Sequence, residues 1–142
     1  MTALQEQGRR AKDASYTLAA AGTERKNAAL EAIAKTLMER RDEWLAANAE
    51  DVAAAKEAGM RPAMLDRLTL TEERSAGIAE AVRQVIALPD PIGRVDKMET
   101  RPNGLIIGRR RVPLGVVAII FEARPNVTVD AAALCLKSGN VC

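Results

Sequence analysis

Histidine is absent from the 142 residues, and aromatic side chains are nearly so, with one Trp, one Tyr and one Phe. Without histidine, no Ser-His-Asp or Cys-His arrangement can be assembled within the chain. Zinc sites with histidine ligands are excluded too, and two cysteines alone cannot close a structural zinc site. Cys135 and Cys142 make no disulfide framework, which points to a reducing, cytoplasmic setting. No apolar run approaches the roughly 18 residues that a membrane span needs. The polar stretch Met1 to Arg10 carries no apolar signal-peptide core. An excess of one charge is missing as well, because 21 Lys+Arg against 19 Asp+Glu leave a net +2. Nucleic-acid binders pair a basic face with stacking aromatics, and neither is found here. The expectation is a soluble cytoplasmic protein with no nucleic-acid and no membrane partner. What is present is aliphatic: 48% of residues are hydrophobic, enough for one domain of this length to bury a core.

Composition shifts near Pro89. Before it lie Ala, Glu, Arg and Lys, all strong helix formers; after it come Val, Ile, Gly and Pro. The first helix is expected from about Thr2 to Ala20, with a weak apolar face of Leu4, Ala11 and Leu18. Thr23 reads as the N-cap of a second helix, with Glu24 in its first turn. Its buried stripe is Leu30, Ile33, Leu37 and Trp44. Asn48 with Asp51 resembles a capping box for a short third helix near Glu50 to Ala58, which Gly59 stops. Pro62 opens a helix carrying Met64, Leu65 and Leu68. Thr71 caps a fifth helix with the face Ile78, Val82, Val85 and Ile86, ended by Pro89.

Pro89-Asp90-Pro91-Ile92-Gly93 reads as a rigid linker. Arg94 to Arg101 and Leu105 to Val112 then flank Pro102-Asn103-Gly104, a hairpin signal whose Asn-Gly suits positive φ angles. Val116 to Phe121 is a continuous apolar run, the pattern of a strand buried on both faces of a parallel sheet. After the turn Arg124-Pro125-Asn126, Val127 to Lys137 reads as a helix with Val129, Ala133 and Leu136 on one side. Gly139 stops it, and Val141-Cys142 opens another strand. The fold class is therefore α/β: a helical first half, a β-hairpin, and a βαβ unit cut off as its second strand begins. The alternative is a complete small α+β domain in which the hairpin and Val116 to Phe121 share an antiparallel sheet.

The turn after the buried strand is the leading site, because open α/β sheets bind ligands beyond the carboxyl ends of their strands. Glu122, Ala123, Arg124, Pro125 and Asn126 occupy that place. A helix N-terminus there offers N–H groups to an anion, Asn126 an amide and Arg124 a charge. Against this, Asn126 and Thr128 can merely cap the helix and Pro125 set its first turn. A G-x-G-x-x-G fingerprint is absent. Arg109-Arg110-Arg111 reads as a charged hairpin strand rather than a phosphate site, since the near-zero net charge supplies no field. Cys135 sits on the apolar side of its helix and reads as an inert buried thiol. Glu24, Arg25, Lys26, Glu39, Arg40, Arg41, Asp42 and Glu43 read as a solvated face.

Three stretches carry a specific resemblance: Arg110-Arg111-Val112-Pro113-Leu114-Gly115-Val116-Val117, Phe121-Glu122-Ala123-Arg124-Pro125-Asn126-Val127-Thr128-Val129-Asp130, and Leu134-Cys135-Leu136-Lys137-Ser138-Gly139-Asn140. They resemble the gamma-glutamyl phosphate reductases, or glutamate-5-semialdehyde dehydrogenases, of the aldehyde dehydrogenase superfamily. Ala46 to Val52, Met64 to Leu68 and Leu88 to Gly93 are similar to that family as well. The resemblance implies a Rossmann-like cofactor domain, a catalytic domain and an oligomerisation ribbon. On that reading residues 1–93 are the helical part of the cofactor-binding domain. Residues 94–112 are the oligomerisation hairpin, and residues 113–142 start the nucleotide-binding sheet. The implied reaction is NADPH-dependent reduction of L-glutamate 5-phosphate to glutamate 5-semialdehyde, with release of phosphate, in proline biosynthesis. It further implies that Asn126 is an oxyanion donor and that Glu122, Ala123, Arg124 and Pro125 lie at the cofactor. The family's nucleophilic cysteine matches neither Cys135 nor Cys142, so the chain alone is expected to be inactive. No metal is implied. The rival reading is a non-catalytic interaction module that uses the Arg-rich hairpin.

Overall fold

The computed structural model describes residues 2–142. Five helices precede the hairpin: α1 (Ala3–Ala19), α2 (Thr23–Glu39), α3 (Arg41–Glu57), α4 (Pro62–Leu68) and α5 (Glu72–Ala87). Strands β1 (Val95–Thr100) and β2 (Ile106–Arg110) follow, and α6 (Pro125–Lys137) closes the order. No helix is long and apolar enough to cross a membrane among these residues.

Local signals set most helix ends. Thr2 forms a full capping box with Gln5, and the Thr71 hydroxyl accepts from the Arg74 N–H. Pro62 and Pro125 both stand at the start of their helices, where a missing N–H costs nothing. The α6 terminus is a Schellman motif: the Asn140 N–H donates to the Cys135 carbonyl at 2.8 Å, and the Gly139 N–H to Leu136 at 3.1 Å. Gly139 takes φ +70°, which that motif requires.

Two expectations for the first half need correcting. Thr23 is the first residue of α2, not its cap; Gly22 precedes it with no side-chain cap, and the Thr23 hydroxyl donates to Asp90 instead, at 2.7 Å. The third helix begins at Arg41, not near Glu50, so Trp44 belongs to α3, and Asn48 and Asp51 form no capping box. Asn48 is a buried mid-helix residue. Its amide donates to the Leu68 carbonyl at 2.9 Å and accepts from the Leu70 N–H at 2.7 Å, which fixes the exit from α4. Trp44 stays near the predicted stripe by donating Nε1–H to the Leu37 carbonyl at 3.0 Å.

The core lies where α2, α5 and α6 meet. Leu30, Ala34, Val82 and Ala133 are buried, with Leu37, Val85, Ile86, Val129 and Leu136 packed around them. It is wholly aliphatic, as the composition demands. Two lysines reinforce it. Lys26, read from sequence as part of a solvated face, is 2% exposed and pairs with Asp90 at 2.6 Å. Lys137, 4% exposed, donates to Asn27 and to the Ile86 carbonyl, both at 2.8 Å, and so ties α6 to α2 and α5. These contacts satisfy both ammonium groups, which is the condition for burying a charge. Asp90 anchors the linker in return: burial pushes its carboxyl up, but hydrogen bonds from Lys26, the Ile92 N–H and Thr23 outweigh that and leave it below the ordinary range.

The hairpin is antiparallel, with Thr100 opposite Ile106, Met98 opposite Gly108, and an irregularity between Val95 and Lys97. Its loop is the three residues Pro102-Asn103-Gly104, as read, but of the Asn-Gly pair only Gly104 has positive φ, at +83°. The Arg101 N–H donates to Leu105 at 2.8 Å and the Gly104 N–H to Arg101 at 2.9 Å, closing it.

Val116 to Phe121 does not form the buried strand read from its apolar run. Only Val116 bridges, in parallel, to Val141, through Val117 N–H to Val141 at 2.8 Å and Val141 N–H to Gly115 at 2.9 Å. Ile120 is fully exposed and Phe121 nearly half so. The physical reason is that a strand exists only beside another, and among the described residues only Val141 offers ladder partners, to Gly115 and Val117. The antiparallel alternative is not observed either, since the sheet has only two strands, β1 and β2.

Candidate functional site

The Schellman turn after α6 holds the Gly115–Val117 segment that leads toward the turn before it. Asn140, buried, accepts the Gly115 N–H on Oδ1 at 2.9 Å, while its Nδ2 is held by Ser138. Gly115 and Val116 are thereby fixed against Val141, and the chain runs on from there to the start of α6. Ala123 then adopts φ +47°, the only positive φ outside glycine among the described residues. An alanine in that region is under strain, a state that tends to persist where a site requires it.

Arg124 is the N-cap of α6, yet no side chain caps the helix. Neither Asn126 nor Thr128 therefore plays the local capping part that its residue type suggests. Asn126 instead donates Nδ2–H to Asp130 Oδ2 at 3.0 Å, one turn along. Its backbone N–H has no acceptor among the described residues. Glu122 and Arg124 are exposed, and Ala123 and Pro125 half-buried. All five predicted residues are thus adjacent at one helix N-terminus.

That terminus opens on a cleft of about 440 Å³ against α4 and α5. Its polar rim is Asp66, Arg67, Arg74, Arg124, Asn126 and Asp130. Arg74 is fully engaged: it pairs with Asp66 at 3.0 Å and donates to the carbonyls of Asp66 and Thr69. A free N–H, an amide and the Arg124 guanidinium at a helix N-terminus make a donor set that fits a phosphate or a developing oxyanion. The turn carries no glycine-rich fingerprint for close backbone approach to a dinucleotide, so a phosphate here would be met by charge and dipole. An apolar hollow of about 530 Å³ under Trp44, between α2 and α3, offers no comparable chemistry, because its charged residues Arg40 and Glu43 already pair with each other.

The other candidates are accounted for locally. Arg111 pairs with Asp96 at 2.9 Å, and the Arg110 guanidinium folds over Gly93. Burial pushes the Cys135 thiol up, with Cys142 beside it acting in the same direction, so it stays protonated at neutral pH. No cluster of metal-ligating side chains is found among the described residues. The α4–α5 side of the cleft was missed from sequence.

No protein-family model matches the chain. Two curated relatives, both named gamma-glutamyl phosphate reductase, are close. The Moorella thermoacetica protein is 58% identical over 96% of this chain, and the Clostridium perfringens protein 60% over 94%. The crystal structure of gamma-glutamyl phosphate reductase from Thermotoga maritima superposes with a TM-score of 0.94 at 44% identity over 98% of the chain. The Saccharomyces cerevisiae one gives 0.93 at 31% over 99%. Over the length it spans, the chain is similar in sequence and fold to gamma-glutamyl phosphate reductases. That length is about a third of the curated relatives, 33% and 32% for the two above, and 34% and 36% of the two solved chains. In gamma-glutamyl phosphate reductase terms, the stretches that carried the resemblance are the Gly115–Val117 segment, the strained turn and α6 with its Schellman stop.

Proposed function

We propose that this chain is the part of an NADPH-dependent gamma-glutamyl phosphate reductase that presents the oxyanion donor and one wall of the cofactor site. The reaction is reduction of L-glutamate 5-phosphate to glutamate 5-semialdehyde with release of phosphate, a step of proline biosynthesis. The observation that carries this reading is 58% identity to a named reductase over 96% of the chain.

Bound NADPH supplies the hydride. A cysteine thiolate of the family, matching neither Cys135 nor Cys142, attacks the acyl phosphate and expels phosphate, which splits one hard step into two. This chain's contribution is positional and electrostatic. Asn126, its amide steered by Asp130, donates a hydrogen bond to the oxygen as it gains negative charge. The positive end of α6 adds to that field. Glu122, Ala123, Arg124 and Pro125 line the cofactor side, with Arg124 placed for a phosphate.

The three-part division follows. Residues 1–93 form the helical part of the cofactor-binding domain and residues 113–142 begin its Rossmann-like sheet. The hairpin of residues 94–112 is the ribbon through which copies associate. Its exposed Met98, Ile106, Ile107 and Val112 support that role, since an uncovered two-stranded edge invites pairing. The cytoplasm is the setting in which free Cys135 and Cys142 persist.

A full-length protein carrying this sequence should reduce NADP⁺ when given glutamate 5-semialdehyde and phosphate. Absence of turnover overturns the reading. The 142-residue chain alone should give none; robust turnover from it would place the nucleophile among its own residues.

A further inference from the structure

Gly77 sits in the interior of α5, where glycine costs roughly 1 kcal/mol relative to alanine. Its φ is not positive, and a Cβ built on it would meet no atom within 4 Å. Neither backbone geometry nor close packing asks for glycine there. What Gly77 does is leave open the cleft beside Asn126, whose floor continues one turn on at Ala81 and over the buried Ile78.

The charges around that floor are unequal. Arg74 is neutralised by Asp66, and Asp130 holds the Asn126 amide with Oδ2. Arg67, on the rim contributed by α4, pairs with no carboxylate among the described residues. The cleft therefore has a small-residue floor, a free guanidinium on the α4 rim, and the proposed oxyanion donor on the α6 rim. A short aliphatic chain with a reactive carbonyl at one end and a carboxylate at the other matches those three features in order.

We infer that this cleft takes the amino-acid end of the substrate, with its methylenes over Gly77 and Ala81 and its α-carboxylate on Arg67. The inference rests on the reductase reading above and adds to it a specificity residue, Arg67, and a reason for Gly77. Arg pairs with carboxylates bidentately, so it can discriminate the α-amino acid from an analogue that lacks the carboxylate.

The test uses a full-length reductase carrying this sequence, with two variants. Arg67→Gln should raise KM for glutamate 5-semialdehyde at least tenfold, with the effect on KM far larger than on kcat and KM for NADP⁺ unmoved. Its effect should vanish with 4-aminobutanal, the same aldehyde without the carboxylate. Gly77→Leu should raise the same KM by filling the floor, while its melting temperature stays the same or rises. Unchanged KM in both variants overturns the inference, as does an equal effect on the two aldehydes. If the unmutated protein shows no turnover, the reductase reading fails by itself. Titration of L-glutamate then decides the cleft: binding weakened tenfold by Arg67→Gln supports it, and no binding overturns it.

Discussion

The α2–α5–α6 core and the stretch from residue 94 to residue 121 obey opposite rules. In the core, apolar faces meet one another and even two lysines are fully partnered. In the second stretch, Met98, Ile106, Val112, Leu114 and Ile120 are all more than half exposed, and the charges pair only with hairpin neighbours. The first region is packed and partnered within itself. The second presents backbone and apolar surface, which a protein seldom leaves uncovered without a use. The difference teaches where substitutions should register: as stability in the helices, as association in the hairpin.

The sharpest contrast should come from Lys26→Met. It leaves the half-buried Asp90 without its counter-charge, though with its hydrogen bonds from Thr23 and the Ile92 N–H, and denaturant titration should show a loss of about 2–3 kcal/mol. Smaller, but on the same side, is Gly139→Ala. A Cβ there would meet Pro113 Cγ at 3.0 Å and force alanine to φ +70°. The expected cost is about 1–2 kcal/mol, measured the same way. At the low end, Ile107→Ser on the exposed face of β2 should change stability by less than about 0.5 kcal/mol. It should instead weaken self-association in sedimentation. A stability loss from Ile107→Ser as large as that from Lys26→Met would break the comparison.

Acid should act on the first region through Asp90. Its folded pKa lies below the unfolded value, so the unfolded chain binds more protons between the two and stability rises with pH there. The contribution is complete above the ordinary carboxylate range and is lost as pH falls through the folded pKa. Asp90→Asn should flatten that acid limb in pH-dependent melting curves.

Much of this was legible in the chain. Thr2, Gly59, Pro62, Thr71 and Gly139 mark helix ends by local chemistry, and each acts as its residue type predicts. The break between α2 and α3 was not legible, because Arg40 offers no glycine, proline or capping side chain. Asn48 misled because Asn three residues before Asp looks like a cap, whereas its partners lie 20 and 22 residues away. Lys26 and Lys137 were hidden by the habit of assigning charge to the surface. A signal existed, since Lys26 stands one turn before Leu30 and Lys137 one turn after Ala133, on the buried faces of their helices. The turn at residues 122–126 was legible as the approach to a helix, though the strand read before it does not form beyond Val116. Its Ala123 strain and the Asn126–Asp130 bond were not, since both depend on how the turn is held.

The central claim is that Asn126 acts on the reacting oxygen. Its most direct test is the kcat of Asn126→Ala in a full-length reductase carrying this sequence, alongside its melting temperature. The account predicts a fall of roughly 10²–10³-fold in kcat with stability unchanged. An unchanged kcat, or a loss that merely follows unfolding, would contradict it.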